Sequence, residues 1–186
     1  NHGEAIVKDS VSDEQLVNII GYNFRMTELH AAIAYVQTKK YKKINEIRKS
    51  NYQHLLNRIN EELSEYLIPQ RITHLETYYA YTAAFRWNYK ATSIQRDKSI
   101  DALIAEGIPS FKGYHRLMCD HPMFKRKIAI GKNHFPWMNN NIKYSEINVS
   151  NARHLVNNEF IGFLQIGYPS NKIAMDDIIN AFIKII

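Results

Sequence analysis

The chain has 186 residues, of which 45 % are apolar, enough for one compact domain with or without an arm and too many for wholesale disorder. Its 24 Lys and Arg against 18 Asp and Glu leave a net charge of +6, spread along the chain and not gathered in a tail, which favours anionic ligands without saying which. The single cysteine, Cys119, excludes an internal disulfide framework, and the apolar runs fall far short of a membrane span.

The chain opens Asn1-His2-Gly3, with no initiator methionine and no secretory signal, and reads as a piece of something longer or a processed product. Ala5-Ile6-Val7 predicts a short strand or extended piece, Asp13 to Ile20 a short helix, and Gly21 to Met26 a loop. Thr27 then offers a helix N-cap, because its hydroxyl can accept an orphan amide hydrogen of the first turn. Leu29, Ile33 and Val36, and further on Ile44, Ile47, Leu55, Ile59 and Leu63, recur at helical spacing. The Lys39 to Lys43 stretch is expected to mark a bend between two helices. An arm of this length suits a bridge between domains or a partner subunit better than the surface of one small domain.

From Tyr66 the texture changes. Tyr66 to Pro69 and Tyr78 to Tyr89 are rich in aromatic and small residues and predict strands. Ser99 to Glu106 predicts a helix closed by Gly107, and Ile108 to Phe111 another strand. Gly113 to Pro136, rich in His, Pro and aromatics, reads as an irregular loop of the functional kind. Val149 to Glu159 predicts helix and Phe160 to Ile166 strand. A closing helix, Ala174 to Ile186, is expected to carry Asp176 and Asp177 in its first turn. Strands alternating with helices behind a long arm give an α/β or α+β module.

Two stretches carry candidate chemistry. In Gly21 to Ile33, a Gly-led loop places Asn23 and Arg25 just before a helix N-terminus, where free amides and the helix dipole favour an anion. Asn23 can donate to a phosphate oxygen and Arg25 can grip one with two parallel bonds; an ordinary loop with an exposed arginine fits the same spacing. In the second stretch, His115 and His121 flank Cys119, but the spacing matches no zinc pattern. A loop histidine that contacts a polar substrate and a structural histidine both remain open. Cys119 beside Asp120 and His121 is a poor nucleophile candidate, since sequence neighbours rarely present the needed geometry. Neither a Gly-x-Ser-x-Gly elbow nor a Gly-rich phosphate loop is present, and with seven glycines a dinucleotide-binding unit is not expected. The basic cluster Lys39, Lys40, Lys42, Lys43, Arg48 and Lys49 reads as a solvated helix face, without the motifs of a nucleic-acid binder.

Taken together, Asn1-His2-Gly3, Gly-Tyr-Asn-Phe-Arg-Met at 21–26 and Glu-Leu-His-Ala-Ala-Ile at 28–33 with Gln37 resemble the DegT/DnrJ/EryC1/StrS aminotransferases. These are pyridoxal-phosphate (PLP) enzymes that aminate keto-sugars, usually nucleotide-linked, or keto-cyclitols. Later segments resemble the same family in the same order. They are the strand Tyr79 to Tyr89, Glu-Gly-Ile-Pro at 106–109, Gly-Tyr-His at 113–115, His-Pro-Met-Phe at 121–124 and Met-Asp-Asp-Ile-Ile at 175–179.

The resemblance implies an α/β chain that forms the C-terminal part of a fold type I enzyme. Residues 1–26 would end the large PLP-binding domain and 27–65 form a long connecting helix or helices. Residues 66–186 would form a small α+β domain with a short, mainly antiparallel sheet. It implies that the lysine forming the Schiff base lies upstream of Asn1, that no catalytic residue lies in this chain, and that the isolated chain is inactive. It implies that Asn23 reaches across a homodimer to the cofactor phosphate, and that Arg25 lies near the same shared site, facing the phosphate or an anionic substrate. Tyr114 and His115 would approach the sugar. The amino donor would be glutamate or glutamine, the location cytoplasmic, and no metal, nucleic acid or membrane would be involved. Arg116-Leu117-Met118-Cys119 stands where a Pro-Leu pair is common, which sets this chain's loop and substrate preference apart. Two alternatives stand beside this reading: a PLP- or PMP-dependent sugar dehydratase on the same scaffold, and a non-enzymatic interaction or regulatory module.

Overall fold

The computed structural model describes residues 24–74, 78–113, 116–139 and 141–186. The extended piece expected at 5–7, the helix at 13–20 and Asn23 lie outside the described residues, as do Tyr114 and His115.

Helix α1 runs Glu28–Arg58. The Thr27 hydroxyl accepts from the His30 backbone N–H at 3.4 Å, and the Thr27 carbonyl accepts from the Ala31 N–H at 2.9 Å, so Thr27 caps the helix as its side chain suggests. The helix passes through Lys39–Lys43 unbroken, which corrects the expected bend. Lysine is a good helix former, and these four side chains are all exposed, where water screens their repulsion. A π-helical turn, Ile59–Leu63, follows α1 directly. The chain divides inside α1 into two compact units, Asn1–Lys42 and Lys43–Ile186. In the first, the described apolar side chains Leu29, Ile33 and Val36 are exposed.

The second unit holds a four-stranded sheet, with β1 Leu67–Pro69, β2 Ala83–Trp87, β3 Ser110–Phe111 and β4 Phe160–Phe163. Its order is β1-β2-β4-β3, and every pairing is antiparallel. Ala83 pairs with Phe163, Phe85 with Ile161, and Trp87 with Leu67. Because side chains alternate along a strand, these residues share one face, and all six are buried. Tyr52, Leu55 and Ile59 from α1 and its π-turn, Leu103 from α3 (Arg96–Ala105) and Ile178, Ile179 and Phe182 from α6 (Lys172–Ile185) complete one core with them. The Phe182 ring sits 5.9 Å from Trp87 and 5.6 Å from Phe163, within the range of favourable aromatic pairing. The buried hydrophobic residues pass along the sequence from Leu103 to Ile161, so the described part of the intervening segment supplies none.

Several element ends differ from expectation for local reasons. Strand β2 stops at Trp87, because Tyr89–Thr92 forms the short helix α2, and β4 stops at Phe163. Helix α3 begins three residues earlier than Ser99 and ends as expected, with Gly107 at φ +84° and its N–H donating to Ile104 O at 3.0 Å. Helix α6 starts at Lys172, because the Asn171 side chain accepts from the Ala174 N–H at 3.1 Å. Asp176 and Asp177 therefore lie beyond the first turn, which corrects their expected place at the dipole's positive end. Asp176 instead accepts from His54 Nε2 at 2.7 Å and from Arg58 on α1. After the short helix α4, Pro122–Lys125, the expected helix at 149–159 forms as α5, Ser150–His154, running into a π-turn Leu155–Glu159. The Arg96 side chain is buried beneath its end, and its guanidinium donates to the carbonyls of Val156, Asn157 and Phe160 at 3.2, 2.8 and 2.7 Å. It thereby satisfies the carbonyls of Val156 and Asn157, which the helix end leaves without intrahelical partners, and that of Phe160 at the start of β4.

Candidate functional site

The other face of the sheet carries Ala84 and Arg86 of β2, Phe160 and Gly162 of β4 and Phe111 of β3, by the same alternation. Small residues at its centre leave room. A Cβ on Gly162 would lie 2.7 Å from Phe111 Cζ, so only glycine lets that ring lie across β4. Gly113, at φ +78°, packs where a Cβ would stand 3.0 Å from Phe160 Cδ1. The loop that leaves β3 is thereby held against the sheet.

A cavity of about 680 Å³ opens here. It is lined by Ala84, Phe111 and Phe160 from the sheet, by Tyr81, Thr82 and Leu164 beyond the strand ends, by Val156, and by Lys112, Gly113, Arg116, Leu117 and Met118. Its volume lies in the range of small-molecule sites, and its apolar lining with a few cationic groups has the usual composition of one. The two cations differ. Lys112 Nζ donates to Asp97 Oδ2 at 2.9 Å, and that ammonium, helped by the neighbouring Arg96 guanidinium, holds the Asp97 carboxyl below the ordinary carboxylate range. Arg116 has no ion-pair partner among the described residues, so its charge is available to a ligand. Behind Tyr81, the Arg48 guanidinium lies 5.2 Å from the ring centroid, and its Nε is buried without a hydrogen-bond partner.

A smaller cavity of about 420 Å³ shares Leu117 and Met118 with the first, and is otherwise lined by Cys119, Phe124, Tyr144, Ile147, Val149 and Ala152. Phe124, Trp137 and Tyr144 form a ring cluster beside it, with centroids 5.2 to 5.6 Å apart. Asp120 is engaged by Arg153 and by Lys125 at 3.3 Å, and both cations hold its carboxyl low. It therefore stays ionised, without the raised pKa that a carboxyl acting as a general acid at neutral pH needs.

The sequence-predicted residues fare unequally. Asn23, Tyr114 and His115 lie outside the described residues. Gly113 and Arg116, the neighbours of Tyr114 and His115, both line the larger cavity. Arg25 is exposed and stands before α1 in the first compact unit. Sequence reasoning did not single out Tyr81, Thr82 or Lys112, and it placed Arg48 on a solvated face. The only signal for Arg116 was its departure from the commoner loop sequence. Among the described residues no group of three or more His, Cys, Asp or Glu is placed to hold a metal ion. No helix among them is long and apolar enough to cross a membrane.

Comparison with known proteins gives the frame for this geometry. No curated protein matches the sequence. The structure is similar to an aminotransferase from Psychrobacter cryohalolentis, with a TM-score of 0.68 and 18 % identity, over 99 % of this chain and 46 % of that one. It is similar too to PseC from Helicobacter pylori, an aminotransferase involved in the biosynthesis of pseudoaminic acid, with a TM-score of 0.64 and 14 % identity, over 99 % of this chain and 43 % of that one. At these identities the likeness speaks for the fold, and the chain spans under half the length of either structure. The sequence profile of the DegT/DnrJ/EryC1/StrS aminotransferases matches residues 1–158, and on that match the chain belongs to the DegT/DnrJ/EryC1/StrS aminotransferase family.

Proposed function

We propose that this chain is the C-terminal part of a PLP-dependent aminotransferase that moves an amino group from glutamate or glutamine to a keto-sugar, nucleotide-linked, or to a keto-cyclitol. The observation that carries the reading is the family match together with a cavity that Gly113 and Arg116, the residues flanking Tyr114 and His115, both line. The reading extends to a fold type I scaffold, to a homodimer with shared sites and to a cytoplasmic location.

The residues present fit one end of the cofactor. Arg25 and the positive end of α1, with Asn23 beside them in sequence, have the chemistry of a phosphate site. When bound, PLP supplies the electron sink for breaking a bond at the amine-bearing carbon. The chain's own residues do something else. Asn23 and Arg25 offset phosphate charge, Asn23 across the dimer. Tyr114 and His115 face the sugar from the loop that Gly113 starts. Arg116 holds an anionic group of the substrate, and the apolar walls of Phe111, Phe160 and Leu164 exclude water around it. The lysine that holds the cofactor belongs to the part of the enzyme preceding Asn1.

The test uses the chain read upstream of Asn1. PLP is added, the absorbance of the covalently held cofactor is followed, borohydride reduction fixes it, and peptide mapping locates the labelled lysine. A labelled lysine upstream of Asn1 is the expected result. Cofactor bound without covalent attachment overturns transamination in favour of the dehydratase-like chemistry. Turnover by residues 1–186 alone overturns the assignment of the chemical step to the preceding part.

A further inference from the structure

We infer that the smaller cavity is an annex of the substrate site that takes a short aliphatic chain carried by the substrate, while Arg116 takes the substrate's anionic group. This rests on reading the larger cavity as the place where substrate binds. Three observations carry it. First, the two cavities are continuous in their lining, since Leu117 and Met118 belong to both. Second, the annex is almost wholly apolar. Beyond the shared pair it offers Phe124, Ile147, Val149 and Ala152, and a carbohydrate hydroxyl would find few partners there. Third, the cation and the annex are in register. Arg116 lines the larger cavity together with Leu117 and Met118, and those two side chains also line the annex, so a ligand held by Arg116 meets the annex across them.

The exposure of the lining fits the same reading. Met118 is 65 % exposed and Ile147 40 % exposed, apolar surface that the described residues leave open to a ligand. A protein segment or a second copy of the chain could cover such a surface as well. Arg116, without an ion-pair partner among the described residues and on the lining of the adjoining larger cavity, favours a ligand that joins a negative group to a hydrocarbon. A sugar phosphate bearing an alkyl or acyl substituent has that chemistry.

Cys119 lines the annex, so its alkylation reports on occupancy. In the full chain with its upstream part, alkylation by iodoacetamide is timed in the presence of methyl, butyl and hexyl phosphate and read on the Cys119 peptide by mass spectrometry, apart from any upstream cysteine. The expected result is protection that strengthens with chain length, by up to about fourfold in apparent affinity per buried methylene. Ala152→Leu, on an exposed helical position that tolerates leucine, should flatten the length dependence while leaving the weak effect of methyl phosphate intact. Arg116→Gln should weaken all three phosphates by a common factor. Two outcomes overturn the annex alone: phosphates that bind in an Arg116-dependent way with no effect of chain length, and a Cys119 already unreactive before any probe is added. Phosphates that neither protect Cys119 nor respond to Arg116→Gln overturn the reading of the larger cavity with it.

Discussion

At the scale of single residues, two glycines and one arginine decide the shape and charge of the cavity. Gly113 combines a positive φ with a close approach to Phe160. Gly113→Ala is therefore expected to lower stability by about 1–3 kcal/mol through backbone strain and overpacking, read as a lower urea midpoint at unchanged slope. An unchanged midpoint would show that the loop can leave the sheet freely. Arg116→Gln makes the opposite prediction. With no ion pair to lose among the described residues, it should leave Tm within about 1 °C, since exposed substitutions away from structural features cost little. If Arg116 holds an anionic group of the substrate as proposed, the substitution in the full-length enzyme should raise KM for that substrate about tenfold and leave kcat nearly intact. The sequence singled out the loop whose described residues border the larger cavity, because Gly-Tyr-His and the unusual Arg-Leu-Met-Cys mark it. It could not show that Tyr81 and Thr82 face the same space, since their place depends on a pairing between β2 and β4 that joins residues far apart in the chain. Arg48 was misplaced for a related reason. Its surface neighbours are lysines in sequence, and its actual neighbours, Tyr81 and Gly167, come from distant turns.

At the scale of elements, the small unit is held by polar clasps between helices as well as by its core. The carboxylate of Asp176 on α6 bonds His54 and Arg58 of α1, and the two together hold it below the usual carboxylate range. A depressed folded value means that the clasp contributes fully above the unfolded pKa, about 3.9, and is lost as pH falls through the lower folded value. Asp176→Asn should accordingly remove part of the acid limb of a stability-pH profile measured between pH 2 and 6. Its size is up to about 1 kcal/mol, the scale of a partly exposed pair. An unchanged acid limb would place the sensitivity elsewhere, with Glu62, Asp97, Asp120 and Glu159 the other depressed carboxylates among the described residues. The Arg96 clasp is the stronger one, because it is buried. Arg96→Met leaves the carbonyls of Val156, Asn157 and Phe160 without their donor, and is expected to cost about 2–4 kcal/mol in chemical denaturation. Helices with strong apolar periodicity were legible in the sequence, α6 and the second half of α1 above all. The π-turns at 59–63 and 155–159 were not, since no residue pattern marks a single widened turn. The start of α6 was misread because Asn171 as a cap outweighs the acidic pair that follows it.

At the scale of the whole molecule, the chain divides inside one uninterrupted helix. The buried residues of α1 begin at Asn45, and among the described residues every buried hydrophobic side chain of the core lies at Tyr52 or beyond. Residues 43–186 are therefore expected to fold alone, with a cooperative urea transition and near-UV circular dichroism matching those of the 186-residue chain. A truncated chain without a cooperative transition would show that the first unit is needed for the second. That the sheet is antiparallel and short was legible from the resemblance. That one of its faces is packed and the other left open for cavities was not, because the alternation in β2 reads the same whichever face the helices cover.

The passage of the core from Leu103 to Ile161 bears on how such a protein changes over generations. The described residues between them line both cavities yet supply none of the buried hydrophobic side chains that hold the unit together. Apart from the positions that β3 and Gly113 hold to the sheet, a mutation there leaves the buried hydrophobic core untouched, so its effect on a ligand is not masked by a loss of folding. On the proposed reading, those positions can change while the core stays as it is, and one fold can take on different substrates.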